Sequence, residues 1–392
     1  MHMLKDETLL VFGEDYGRHP HCLEHIVNEL AVSNNVFWVE TIGMRSPRLT
    51  VYDMKRTAQL IFKWSIGQYN FISKQRNKNI KIISIPMLPY TSFKLIRRLN
   101  KFLICRKVRR ELTKAGVARP ILITSVPSVC DFVKIFDEKL TVYYCVDEFS
   151  LWPGISYDRI KAMESELLAK SDLIFTTSSR LTESKKTSGK VPHLLTHGVS
   201  LAHFSLPEQS NVEYSRKKIC YFGLIDERCD QELLITLARA IPDALLTIIG
   251  EAVCDISGLH KCSNIMFQGR VTYENLPGVI KDQDYFILPY YINELTENIN
   301  PLKIKEYMAT GRPVISTPLP EVVKLGAFVY IADSHEKFVY IIKGLITGLI
   351  VHTSTPALNY LKQNETWKSK ATLMSAMIKK AMLSKELVMK QL

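Results

Sequence analysis

Residues 300–317 read NPLKIKEYMATGRPVIST, and the architecture of the chain can be read outward from them. Proline suits the first turn of a helix and glycine its C-terminal cap. Asn300-Pro301 therefore opens a short helix that Gly311 closes before the strand PVIST begins. The helix carries Lys303, Lys305 and Glu306 around its first turns, where an anion or a hydroxyl-rich ligand would find them.

The same alternation runs in both directions. Upstream in the second half come the strand-like runs KICYFG, LLTIIGE, NIMFQGR and YFILPY, with helical stretches around QELLITLARAI and from about residue 273 to 280; FVYIA follows PVISTP. The first half gives TLLVFG, a helix from about residue 20 to 30, NVFWVET, KIISIP, a long basic helical region, ILITSV, VYYCVDE and DLIFTTS. Repeated strand and helix predict an α/β fold of two parallel sheets, each covered on both faces, with ligands at the carboxyl ends of the strands. Periodicity is lost in LAHFSLPEQSNVEYSRKK, residues 201–218. The expected division is a Rossmann-like domain over 1–205, a second over 206–354, and a helical tail over 355–392 that crosses back to the first.

A chain of 392 residues exceeds what one core usually organises, in keeping with two domains. A hydrophobic content of 46% with 17 Gly and 17 Pro is that of an ordinary folded protein. TLLVFG is too short for the apolar core of a signal peptide, and YIIKGLITGLIV is broken by Lys343 and too short to span a bilayer. A cytoplasmic location is expected. The eight cysteines form no C-x-x-C pair and read as reduced and mostly buried. A net charge of +12 admits nucleic acid, an anionic membrane or phosphorylated ligands as partners.

KICYFGLIDER, LLTIIGE, IMFQGRV, DYFILPYY and NPLKIKEYMATGRPVIST, in that order, resemble the C-terminal nucleotide-sugar domain of group 1 (family 4) glycosyltransferases of GT-B fold. GEDYGRHP, FWVETIGMRSPRL and YYCVDEFSLWPG look like the acceptor domain of the bacterial members that build surface polysaccharides. HGVSLAHF, residues 197–204, matches the usual lead-in to the interdomain linker. The resemblance implies transfer of a sugar from a UDP- or GDP-linked donor to a lipid-linked saccharide, at the cytoplasmic face of the membrane and without a separate cofactor.

In relatives the Glu matching Glu306 accepts hydrogen bonds from ribose hydroxyls, a task that suits an ionised carboxylate because it is a pure acceptor. The first turn of its helix, from Asn300, points free N–H groups at the diphosphate, and Lys303 adds a point charge. The alternative is that both side chains are merely solvated. Relatives also carry a Glu eight positions earlier that holds the donor sugar. Here that position is Asn298, which cannot supply negative charge near an oxocarbenium ion and so loosens the tie to retaining members. In GLIDER the phosphate-binding cation aligns with Arg228, while the Arg that commonly follows Gly223 is Leu224. Arg228 could instead be paired with Asp226 or Asp230. Arg270, after Gly269, matches a position near the base.

From the first half, Gly17 permits close backbone approach, and Arg18 and His19 offer a fixed charge and a titratable donor. His19 is a catalytic candidate or a plain surface residue. VYYCV ends in Asp147-Glu148, where a carboxylate could deprotonate the acceptor hydroxyl in an inverting transfer; Asp147 is the expected base, and an N-capping or structural role is the alternative. Asp282-Gln283-Asp284 precedes a strand directly and reads as a turn, and no catalytic metal is expected.

Between Phe93 and Lys114 lie nine basic residues against one acid, Glu111. Lys94, Arg97, Arg98 and Lys101 share one helical face and Leu95, Leu99, Phe102 and Leu103 another; past Cys105 the pattern fails. The segment reads as a docking face for anionic membrane or as a solvated helix. Two other functions stay open: a nucleotide-sugar epimerase, which leaves the basic segment without a task, and a nucleic-acid-binding protein, for which no recognised motif is present.

Overall fold

The computed structural model describes residues 3–17, 21–41, 77–85, 94–207 and 216–391. The chain forms two compact units, Met1–Leu195 with Lys370–Leu392, and Thr196–Ser369. Residues 196–204 thus group with the second unit. So does the helix Thr355–Asn364, while the helix Trp367–Gln391 lies in the first unit from Lys370 onward.

The first unit holds seven strands: β1 (Thr8–Gly13), β2 (Asn35–Glu40), β3 (Ile80–Ile83), β4 (Ile121–Thr124), β5 (Leu140–Cys145), β6 (Leu173–Thr176) and β7 (His193–Leu194). All pairings are parallel, in the order β3-β2-β1-β4-β5-β6-β7. β4, β5 and β6 are buried at every residue, as a parallel sheet covered on both faces requires. The second unit repeats the plan with β8 (Lys218–Phe222), β9 (Leu245–Ile249), β10 (Ile265–Gly269), β11 (Tyr285–Leu288), β12 (Val314–Ser316) and β13 (Tyr330–Ile331), in the order β10-β9-β8-β11-β12-β13. Strand order reverses between β1 and β4 in one sheet and between β8 and β11 in the other. There the loops leave toward opposite faces and open a crevice at the carboxyl ends.

The helix Leu302–Ala309 is seated at the second reversal. Pro301 is its N-cap and Gly311, at φ +73°, follows its end. β8 pairs with β11 only at Ile219 and Cys220, so the backbone of Phe222 has no strand partner on that side. The Tyr307 hydroxyl replaces one: it accepts from Phe222 N at 3.2 Å and donates to Phe222 O at 3.0 Å. Its ring packs edge-on against Phe222 and face-on over Phe286. Lys305, two residues before Tyr307, is turned inward and only 3% exposed; its ammonium bonds Glu365, the His197 carbonyl and Thr196 Oγ1. It therefore does not share the ligand-facing side expected for Lys303, Lys305 and Glu306. Residues two apart on a helix point about 200° apart, and Lys305 is the anchoring one.

Two sequence expectations on the basic helix are also corrected. The helix spans Lys94–Lys114, but it buries Asn100, Ile104, Val108, Glu111 and Leu112. Leu95, Leu99 and Phe102 lie on the opposite side, 77%, 44% and 59% exposed, while Leu103 is partly buried. Arg97 forms a two-point ion pair with Asp131, its Nε and Nη2 2.5 and 2.6 Å from the carboxylate oxygens, which removes it from the outward cations. Arg98, Arg106, Arg109 and Arg110 are exposed and lie within about 60° of the apolar triad around the helix. Asp282–Asp284 forms the turn before β11, where the Asp284 carboxylate accepts from Lys218 N at 2.7 Å.

Below the end of β5 lies a buried charge cluster. The Lys185 ammonium, 1% exposed, sits 2.5 Å from Glu148 and 2.7 Å from Glu164. Glu164 accepts from the Tyr143 hydroxyl and Glu148 from Ser150. Removing the lysine strands two carboxylates, a class of change that costs about 3–5 kcal/mol. Lys185→Met is expected to lose that much stability in denaturant unfolding of the first unit, and adding Glu148→Gln to recover part of it.

Candidate functional site

β8 and β9 are each followed by glycine because the backbone there takes conformations that side chains resist: φ is +138° at Gly223 and +149° at Gly250. A Cβ on Gly250 would meet Gly223 O at 2.0 Å, and one on Gly223 would meet Cε and Nζ of Lys303 at the same distance. Lys303 thus lies directly across the bare end of β8. Its ammonium bonds the Tyr290 hydroxyl at 2.9 Å and that of Tyr221 at 3.3 Å, and lies 5.5 and 5.1 Å from the two ring centres. No carboxylate pairs with Lys303 among the described residues.

Arg228, on the loop after β8, is gripped by Asp226 through Nε at 3.0 Å and Nη2 at 2.5 Å, and its guanidinium lies 5.6 Å from the centre of the Tyr290 ring. The sequence alternative of pairing with Asp226 is realised, and the paired cation still stands in the crevice beside Lys303. Glu306, one turn beyond Lys303, is half-buried, and its carboxyl makes no hydrogen bond among the described residues. Burial pushes its pKa up to about 7, against the pull of the Lys303 charge.

Asn298 and Asn300 are buried just before this helix. Asn298 closes the helix Glu294–Asn298, its amide donating to Glu294 O at 2.7 Å; Asn293 and Thr296 cap that helix reciprocally at its start. Arg270 is exposed just after the end of β10, two strands from β8. The structure therefore gathers Gly223, Arg228, Lys303 and Glu306. It adds Asp226, the partner that the sequence offered for Arg228, and Tyr221 and Tyr290, which sequence reading missed: both tyrosines sit in aromatic strand runs, where an aromatic ordinarily signals packing.

In the first unit Gly17, at φ +75°, donates its N–H to Glu24 at 3.1 Å. Burial raises that carboxyl to about 7 and lowers His21, stacked on Trp38, to about 4. Trp38 Nε1 donates to Glu14 O at 2.9 Å, holding the loop after β1. Arg18 and His19 lie outside the described residues. Asp147 is half-buried at the end of β5, one oxygen accepting from Glu148 N at 2.8 Å. Glu148 is consumed by Lys185.

Comparison with known proteins places these features. Residues 216–347 match the family model described as glycosyl transferases group 1. A Bacillus subtilis (strain 168) protein named as a teichuronic acid biosynthesis glycosyltransferase, TuaH, is 26% identical over 179 residues, 42% of this chain. The match spans 45% of that relative's length. Among solved structures, sucrose-phosphate synthase from Thermosynechococcus elongatus superposes with a TM-score of 0.70 and Anabaena HepE, in complex with UDP and glucose, with 0.67. Each is 14% identical and covers 96% of this chain and 100% of its own. Residues 216–347, within the second unit, are thus similar to the group 1 glycosyl transferases, and the chain shares the two-sheet fold of these solved structures.

Proposed function

We propose that the protein transfers a sugar from a UDP- or GDP-linked donor to a lipid-linked saccharide during assembly of a cell-surface polysaccharide, working against the inner face of the membrane. The observation that carries the donor site is that Glu306, a half-buried carboxyl without a hydrogen-bond partner among the described residues, shares a helix with Lys303, which lies across Gly223. An ionised carboxylate takes two ribose hydroxyls, and a cation one turn away suits a diphosphate. TuaH, named for teichuronic acid biosynthesis, supports the polymer-building role, and HepE, solved with UDP, supports the donor class. No helix among the described residues is long and apolar enough to cross a membrane, so a peripheral contact is the reading for the helix Lys94–Lys114.

Glu306→Ala is expected to weaken UDP or GDP binding by about tenfold or more, the worth of a hydrogen bond to a charged group, with thermal stability retained. Since the ionised form is the acceptor and its pKa lies at about 7, parental affinity should fall as pH drops through 7 and the variant's should not. Calorimetry at pH 6 and 8 measures both.

Asp147 is the proposed base for the acceptor hydroxyl. Asp147→Asn should cut turnover by about 10²–10⁴-fold while nucleotide affinity stays at the parental value. An inverted product anomer belongs with that role, and a retained one removes it.

The membrane contact combines the exposed Leu95, Leu99 and Phe102 with Arg98, Arg106 and Arg110 beside them. Each basic residue near an anionic surface contributes about 1 kcal/mol, and each buried CH₂ about 0.8 kcal/mol. Arg98→Glu with Arg106→Glu should release the protein from vesicles rich in anionic lipid. Leu95→Ser with Phe102→Ser should weaken binding even at low salt. Flotation that is equal for parent and variants removes the contact.

A further inference from the structure

Tyr290 stands where the two cations of the crevice meet, and neither the charge pattern nor the proposed role of Lys303 accounts for it. Its side chain is buried, so it is not a ligand-facing group. Its backbone is joined to the loop after β8: Asp230 N donates to Pro289 O, Tyr291 N donates to Arg228 O, and Cys229 bridges Tyr290. Thr317 Oγ1 donates to Tyr290 O at 2.7 Å, tying the same residue to the end of β12. Arg228 is therefore held beside Tyr290 through the main chain, and Lys303 through the tyrosine hydroxyl. One ring lies within 5.6 Å of both charges. Arg228 lies against the ring while Lys303 bonds its hydroxyl.

The position has a second effect. Lys303 and Glu306 are three residues apart on one helix, a spacing at which lysine and glutamate ordinarily pair. They do not pair here, because the ammonium is drawn the other way, onto Tyr290 and Tyr221. A Lys303–Glu306 pair would neutralise the cation and the acceptor together.

We propose that Tyr290 is a positioning residue of the donor site: its hydroxyl holds Lys303 away from Glu306 and its ring lies against Arg228, so that the diphosphate of a nucleotide meets two preset cations. The inference rests on the nucleotide-sugar reading of this crevice and adds the group that presets it.

The test is binding of UDP, GDP and the corresponding monophosphates by calorimetry, to the full chain, for the parent, Tyr290→Phe, Lys303→Met and the double variant. Phenylalanine keeps the ring and removes only the hydroxyl. The variant is expected to lose about tenfold in affinity for the diphosphate preferred by the parent and to narrow the diphosphate-to-monophosphate ratio, while melting within a few degrees of the parent. A general loosening of the fold would lower both affinities alike. In the Lys303→Met background, Tyr290→Phe should have no further effect, since it acts through Lys303. Parental affinity in Tyr290→Phe, an unchanged ratio, or the same loss with and without Lys303 overturns this inference alone. A parent that binds neither UDP nor GDP overturns the nucleotide reading, and this inference with it.

Discussion

The Tyr307 hydroxyl takes up the backbone of Phe222 where β8 has ceased to pair with β11. A strand that ends its pairing before its neighbour does leaves an N–H and a C=O pointing into the interior, and an unsatisfied buried pair costs several kcal/mol. At Phe222 both are taken by a single side-chain oxygen on the helix Leu302–Ala309. That contact fixes the rotation of the helix about its axis. With Tyr307 pinned to the strand and Lys305 bound on another side, the remaining direction belongs to Lys303 and Glu306. Glycine at the end of β8 then leaves room for the lysine to lie across it.

Three buried or half-buried lysines show how one residue type serves different ends. Lys185 and Lys305 are fully enclosed and each faces carboxylate, which offsets the cost of removing the charge from water. Lys303 faces phenol oxygens instead. Those neighbours stabilise a cation without neutralising it.

Much of this architecture could be read from residue order. Alternating apolar strands and amphipathic helices located both sheets, and the Pro301 and Gly311 punctuation located the helix bearing Glu306. What resisted reading depended on partners far away in the chain. The inward turn of Lys305 is explained by Glu365, sixty residues on; the loss of Arg97 to structure is explained by Asp131. The apolar face of the basic helix was assigned from its first turns, yet the packed stripe is set by Ile104, Val108 and Leu112, and leaves Leu95, Leu99 and Phe102 outside. Tyr221 and Tyr290 looked like packing residues, because nothing local in YFG or LPYY distinguishes a phenol beneath a cation from one in a core.

The Tyr307 contact also bears on motion. An amide at the end of a strand ordinarily exchanges its hydrogen with solvent through fraying, but the Phe222 amide is held by a side chain from a helix more than eighty residues later. For it to open, helix and strand must separate, which exposes the aromatic cluster of Phe222, Phe286 and Tyr307 at the same time. The end of β8 and the helix that carries Glu306 therefore open as one cooperative element. A ligand bound to either slows exchange in both.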